Sequence, residues 1–291
     1  MIKKNFASAL ALAVVMTGMT SCGGGTTPDN DINGNDSLNS DTIVEGEGGD
    51  EDNVNLPSPL QIAYIFKKSG LKYVPGTAHD PGKSGNYSSQ YSQSIALGLY
   101  SSDLAYCVLN KQSNDARNYM KAVKDLSDKL GMGTVFNSDD LMKRFDANIG
   151  NEDSIMFILS ELQSKSDDFF GENERHVTAA EVFSGAWVES MYIASKVSKG
   201  KDSKLAEQLA DQMSILESLI KELKKHEGDE ANITTLLAQL NGINDIILAI
   251  PGVKEMMESD KPEDVKITAS EEQLKALATK LEEVRSAMVK G

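Results

Sequence analysis

The chain has 291 residues, with 44 acidic side chains against 29 basic ones and a formal net charge of −15. An acidic balance of this size lacks the basic footprint that nucleic-acid binding requires, so nucleic acid is not an expected partner. Residues 57–291 are long enough to bury one core or two packed helical halves.

The first stretch reads as an export signal. Lys3 and Lys4 form a short positive region, and Phe6 to Met16, "FASALALAVVM", is an unbroken apolar run. That run suits the apolar part of a signal peptide and is too short to span a bilayer, which takes about 20 residues. Small and weakly polar residues then lead to "MTSC", which resembles a bacterial lipobox ending at Cys22, with Met19 where Leu is more usual. The expectation is a signal peptide over 1–21, with Cys22 carrying the lipid and becoming the mature N-terminus. Two acyl chains anchor a protein stably where one does not, since each buried methylene contributes about 0.8 kcal/mol. With Cys22 lipidated, no intramolecular disulfide is available to Cys107, which sits in "DLAYCVL" and reads as a small buried apolar residue.

Residues 22–56 read as a disordered tether. Between 23 and 56 there are nine acids and no Lys or Arg, and Gly, Asn, Asp, Ser and Thr dominate. Such a segment cannot bury enough apolar surface to fold, and its charges repel one another. Asp29, Asp31, Asn33 and Gly34 match the first half of an EF-hand calcium loop. Position twelve is Ser40 in place of the bidentate Glu, and Pro28 with Gly23 to Gly25 opposes flanking helices, so only weak calcium binding is expected. "DSL" and "DTI" resemble the acceptor motif of Bacteroidota O-glycosylation, which makes Ser37 and Thr42 candidate sites on an accessible linker.

The body reads as all-α, a bundle of about 8–10 helices. No proline lies between 82 and 250, and helix interiors exclude proline. "LKYVPG" (71–76) is expected to be extended, leading into a loop through Ser89. Helices are expected near 58–69, 89–110, 113–130, 139–149, 152–169, 174–198, 202–226, 230–249, 253–258 and 269–289. The clearest stripes are Tyr119, Val123, Leu126, Leu130, and Leu205, Leu209, Met213, Leu216, Ile220, Leu223. Ser138, Asn151 and the Thr268/Ser270 pair are the start signals, Ser270 with Gln273 at capping-box spacing. "KKHEG" (224–228) is a stop signal.

Two of these helices, 94–109 and 181–195, are apolar on most sides. Aligning Gly98 with Gly185 also pairs Tyr100 with Trp187, Leu104 with Met191 and Ala105 with Tyr192. Each helix is followed by a polar turn, an amphipathic helix and a shorter helix near 139 or 230. The pattern points to two stacked helical repeats, with both apolar helices central and their glycines permitting close approach.

"LPSPLQIAYIFKKSGLKY", "NYSSQYSQSIALGLYSSDLAY", "YMKAVKDLSDKLGM" and "GAWVESMYIAS" together make most of 56–200 resemble a family of uncharacterised all-helical Bacteroidota lipoproteins. The resemblance implies an envelope location, at the outer membrane, and a helical fold. It supplies no reaction and no catalytic residues.

Chemistry-bearing candidates in the body are few. His79, His176 and His226 share no ligand spacing, so neither a metal nor any other cofactor is expected. Ser218 and Lys221 form S-x-x-K without its companion motifs, and "GMGTVF" (131–136) follows a helix where a phosphate loop would follow a strand. Acids on the apolar helices are the best candidates: Asp103, Glu181 and Glu189. They are either paired carboxylates suited to acid–base work, or a narrow solvated stripe, or buried acids held by Lys or Arg. Asp103, Glu189, Trp187 and Tyr100 are the residues expected to line any pocket between the two helices.

The functional expectation is therefore a non-enzymatic binding or accessory module. It would be held to the outer membrane by its lipid and would meet an envelope protein, peptide or glycan. A small-ligand carrier or hydrolase using the inter-helix pocket is the alternative.

Overall fold

The computed structural model describes residues 72–136, 139–198, 212–228 and 231–290. All the described residues belong to one compact unit. Cys22, Ser37, Thr42, Asp29, Asp31 and Asn33 all lie outside the described residues. So do the helix expected at 58–69, Ser138, and the stripe residues Leu205 and Leu209.

The described residues are all-α and contain no strand. They form α1 (Gln90–Leu109), α2 (Ser113–Lys129), α3 (Gly133–Phe136), α4 (Asp139–Asn148), α5 (Glu152–Glu172), α6 (His176–Val197), α7 (Met213–Lys224), α8 (Ala231–Leu248), α9 (Val253–Glu258) and α10 (Glu271–Met288). Short 3₁₀ segments add Pro81–Asn86 and Pro262–Asp264. The expected elements match to within three residues at their described ends. The one-turn helix α3 falls in the segment "GMGTVF", too short to show a period.

Local chemistry accounts for the boundaries. Ser89 opens α1 through a reciprocal cap with Ser92. Asn151 opens α5 by accepting the Ser154 N–H, and Ser270 opens α10 through the reciprocal bonds with Gln273, each capping an otherwise orphaned donor. The α2 stripe is buried as its spacing requires, and so are Met213, Leu216, Ile220 and Leu223 on α7.

Two hydrophobic cores flank a central pair, α1 and α6. One core gathers α2 to α5 with most of α1; the other gathers α7 to α10 with most of α6. Each central helix also reaches across. Ile95 and Leu99 of α1 enter the second core, and Val182 of α6 enters the first.

The central pair runs parallel, since contacts advance together along both helices: Gln90 meets Thr178, Gly98 meets Val182 and Ala186, and Ser102 meets Ala186 and Ser190. A Cβ on Gly98 would overlap the Val182 carbonyl oxygen, and one on Gly185 the Ile95 carbonyl oxygen. Each glycine thus packs on the residue three before the other, a reciprocal contact that agrees with the duplicated pattern of the sequence. The likeness is imperfect: Ala105 is buried, whereas its counterpart Tyr192 is only half-buried.

Residues 72–88 form a strap laid antiparallel along α1. The Val74 N–H donates to the Tyr106 hydroxyl at 2.7 Å, the His79 N–H to Asp103 at 3.0 Å, and the Tyr100 hydroxyl to the Asp80 carbonyl at 2.9 Å. Of the run expected to be extended, residues 72–74 lie outside any helix while Pro75 and Gly76 form a turn, and the loop after it contains the 3₁₀ turn begun by Pro81.

Candidate functional site

Close approach at the two glycines sets the contacts made one turn later. Ser102 donates to the Ala186 carbonyl at 2.8 Å, and the Ser190 hydroxyl lies 3.0 Å from Ser102 Oγ. Beside these serines stand the two acids, Asp103 and Glu189, each with no exposed surface. α1 therefore carries Ser–Asp and α6 carries Glu–Ser at matching distances beyond the crossing.

Arg285 of α10 closes the cluster. Its Nε and Nη2 donate to Oε2 and Oε1 of Glu189 at 2.8 and 2.9 Å, a bidentate pair. Its guanidinium carbon lies 4.5 Å from the centre of the Tyr192 ring, which adds a cation–π contact. Neither partner is freely hydrated: the Glu189 side chain is fully buried and that of Arg285 is 13% exposed.

His79 brings the strap into the same cluster. Its main-chain N–H donates to Asp103 Oδ2, while its Nε2 lies 3.0 Å from the Tyr87 hydroxyl, itself 3.4 Å from the Val289 carbonyl. With the ring proton on Nε2, His79 donates to Tyr87 and Tyr87 donates to Val289, so each proton is used once. Burial, aided by the charges of Arg285 and Lys83, lowers the His79 pKa to about 4 and keeps the ring neutral. Burial first, then the neighbouring Glu189 charge, pushes the Asp103 carboxyl well above the usual range, although Arg285 and the His79 N–H oppose the shift.

The four residues expected to line a pocket belong to the packed interior. Tyr100 and Trp187 have no exposed surface. Tyr100 stacks obliquely on His79 at 5.4 Å, and Trp187 Nε1 has no hydrogen-bond partner. None of the four lines either of two cavities that do adjoin the central pair. One, of about 70 Å³, is largely apolar and lies between α1, α2, α5 and α6, where the buried Ser127 hydroxyl has no partner. The other, of about 240 Å³, lies between the first turns of α1 and α6 and is lined by Gln90, Tyr91, Thr178, Glu181 and His226. Glu181 and Glu189 share a helix face by spacing yet end in different places, the first at this cavity and the second on Arg285.

Arg285 and Tyr87 escape the reading of the sequence, which offers His79 only as a loop histidine beside Asp80, at a turn before Pro81 or contributing to a site. Arg285 did leave a trace there. It lies four residues after Leu281 and three before Met288, inside the apolar stripe of α10, where a guanidinium needs a buried anion. Tyr87 left none, because a loop has no period to interrupt. Cys107 is buried and reduced, its thiol pushed up by burial, so it is unreactive. Among the described residues no cluster of three metal-ligating side chains occurs, and no helix is long and apolar enough to cross a membrane.

Every carboxyl oxygen of the cluster faces the protein interior. The arrangement can hold a proton and pin α10 and the strap to the central pair. The chain matches no known family profile, no curated protein and no solved structure.

Proposed function

We propose that this protein is a lipid-anchored envelope protein whose helical body works as a non-enzymatic binding or accessory module for another envelope protein, a peptide or a glycan. The observation that carries the reading is the sequence Lys3–Lys4, "FASALALAVVM", "MTSC" followed by an acidic, lysine-free tether. The buried cluster is in keeping with it: both Glu189 oxygens are engaged by Arg285, and Asp103 is bound by the strap. These acids are used to hold the fold together.

Metabolic labelling of the full chain in a diderm bacterium with an alkyne palmitate tests the anchor. Label should appear on the wild type and be lost from Cys22→Ala. Inhibition of the lipoprotein signal peptidase should leave the lipidated wild type uncleaved. An unlabelled wild type, or a mature N-terminus away from Cys22, ends the proposal. Cross-linking in intact envelopes then reads the partner.

A small-ligand carrier is the second reading, and the polar cavity of about 240 Å³ at Glu181 favours it. Thermal-shift screening of small amines and sugars against wild type and Thr178→Trp, which fills the cavity, tests it. A shift seen only in the wild type supports that reading; equal shifts or none count against it.

A further inference from the structure

Independently of that function, we propose that Asp103 and Glu189 share one proton and, with Arg285, form a neutral buried clasp that opens in alkali and loosens α10 and the strap from the central pair. Charge balance makes the first argument. Two fully buried carboxyls face one guanidinium. Were both ionised, the dry interior would hold an uncompensated negative charge, which is costly even beside a cation. One proton removes it.

Geometry says where the proton sits. Of the four carboxyl oxygens, Glu189 Oε1 and Oε2 accept from Arg285 and Asp103 Oδ2 accepts from the His79 N–H. Asp103 Oδ1 alone has no donor aimed at it. A proton there turns an orphaned acceptor into a donor, with the carboxylate of the neighbouring Glu189 as its acceptor. Both Glu189 oxygens are already taken by the Arg285 fork, which leaves Asp103 to carry the proton.

The surroundings leave Asp103 no other compensation. Facing it are Glu189 from α6, Arg285 from α10, His79 and Tyr87 from the strap, Tyr106 and Cys107 on α1 itself, and Tyr100 and Tyr119 close by. His79 is neutral near pH 7, and burial raises the tyrosines and the thiol, so Arg285 is the one facing cation among the described residues. Loss of the proton therefore has to be met by water. The two elements that cover the acids are the strap, which meets Asp103 through the His79 N–H, and α10, which meets Glu189 through Arg285.

The sign of the effect comes from linkage. The folded state keeps a proton that the unfolded chain releases in the ordinary carboxylate range, so stability falls as pH rises between those two points. Asp103→Asn imitates the protonated acid, its amide oxygen accepting from His79 and its NH₂ donating to Glu189, and it has no proton to lose. Urea unfolding of the full chain and of Asp103→Asn from pH 5 to 9 tests this. The ratio of wild-type to variant folding constants should fall by about tenfold per pH unit until the proton leaves. Infrared spectra of the folded wild type at pH 7 should show a protonated carboxyl stretch that Asp103→Asn lacks, and hydrogen exchange over 72–88 should accelerate in alkali only in the wild type. Parallel pH profiles, a variant that cannot fold, or a folded wild type without that carboxyl band would each overturn the proposal.

Discussion

Arg285 donates two hydrogen bonds to a single carboxylate and lies against the ring of Tyr192, so its loss cannot be made good by a neighbour. Arg285→Met leaves Glu189 buried without a cation and is expected to cost about 3–5 kcal/mol, read as a lower urea midpoint. Arg285→Lys keeps the charge but not the fork and should fall between the two. His79 gives a separate acid limb. Its folded pKa of about 4 lies below the ordinary histidine value of 6.5, so the unfolded chain binds the proton first as pH falls. Its contribution is complete above pH 6.5 and is lost on the way down to about pH 4. His79→Gln should flatten that limb in a pH series of thermal midpoints, and an unchanged slope would show the ring to be exposed in solution.

At the scale of single helices, α1 and α6 depend on backbone contact. A methyl group at Gly98 or Gly185 meets a carbonyl oxygen, which cannot rotate away as a side chain would. Gly98→Ala and Gly185→Ala are each expected to lower stability by about 3 kcal/mol or more, beyond ordinary overpacking. The gain in helix propensity from Gly to Ala, about 1 kcal/mol, is too small to offset this. Chemical denaturation measures both, and a neutral Gly98→Ala would mean that the helices stand further apart. Helix positions were readable in advance because each is a short-range property. Ser270 with Gln273, Asn151 before two acids, and the stripe of α2 all act within one or two turns. The reciprocal glycine contact was also foreshadowed, since two apolar helices with matched glycines have few other ways to be buried on all sides.

Across the whole body, the two cores are coupled through that central pair. Ile95 and Leu99 leave their own half for the other core, and Val182 does the reverse. Met120→Ala in one core and Leu216→Ala in the other should therefore lower the same unfolding transition, each by about 2–5 kcal/mol. Two separated transitions in calorimetry would show the halves to be independent.

Patterning along the chain sufficed for an acidic, all-helical body, for the caps at Asn151 and Ser270 and the stripe of α2, and for the placing of Asp103 and Glu189 on helices apolar on most sides. These rest on periodicity and turn chemistry, which operate over a few residues. Which cation meets Glu189, and that the strap's His79 binds Asp103, depended on the folded arrangement. The partners lie 96 and 24 residues away. One sits on the last helix and the other in a loop, and only the packing of α10 and the strap against the glycine crossing brings them within reach.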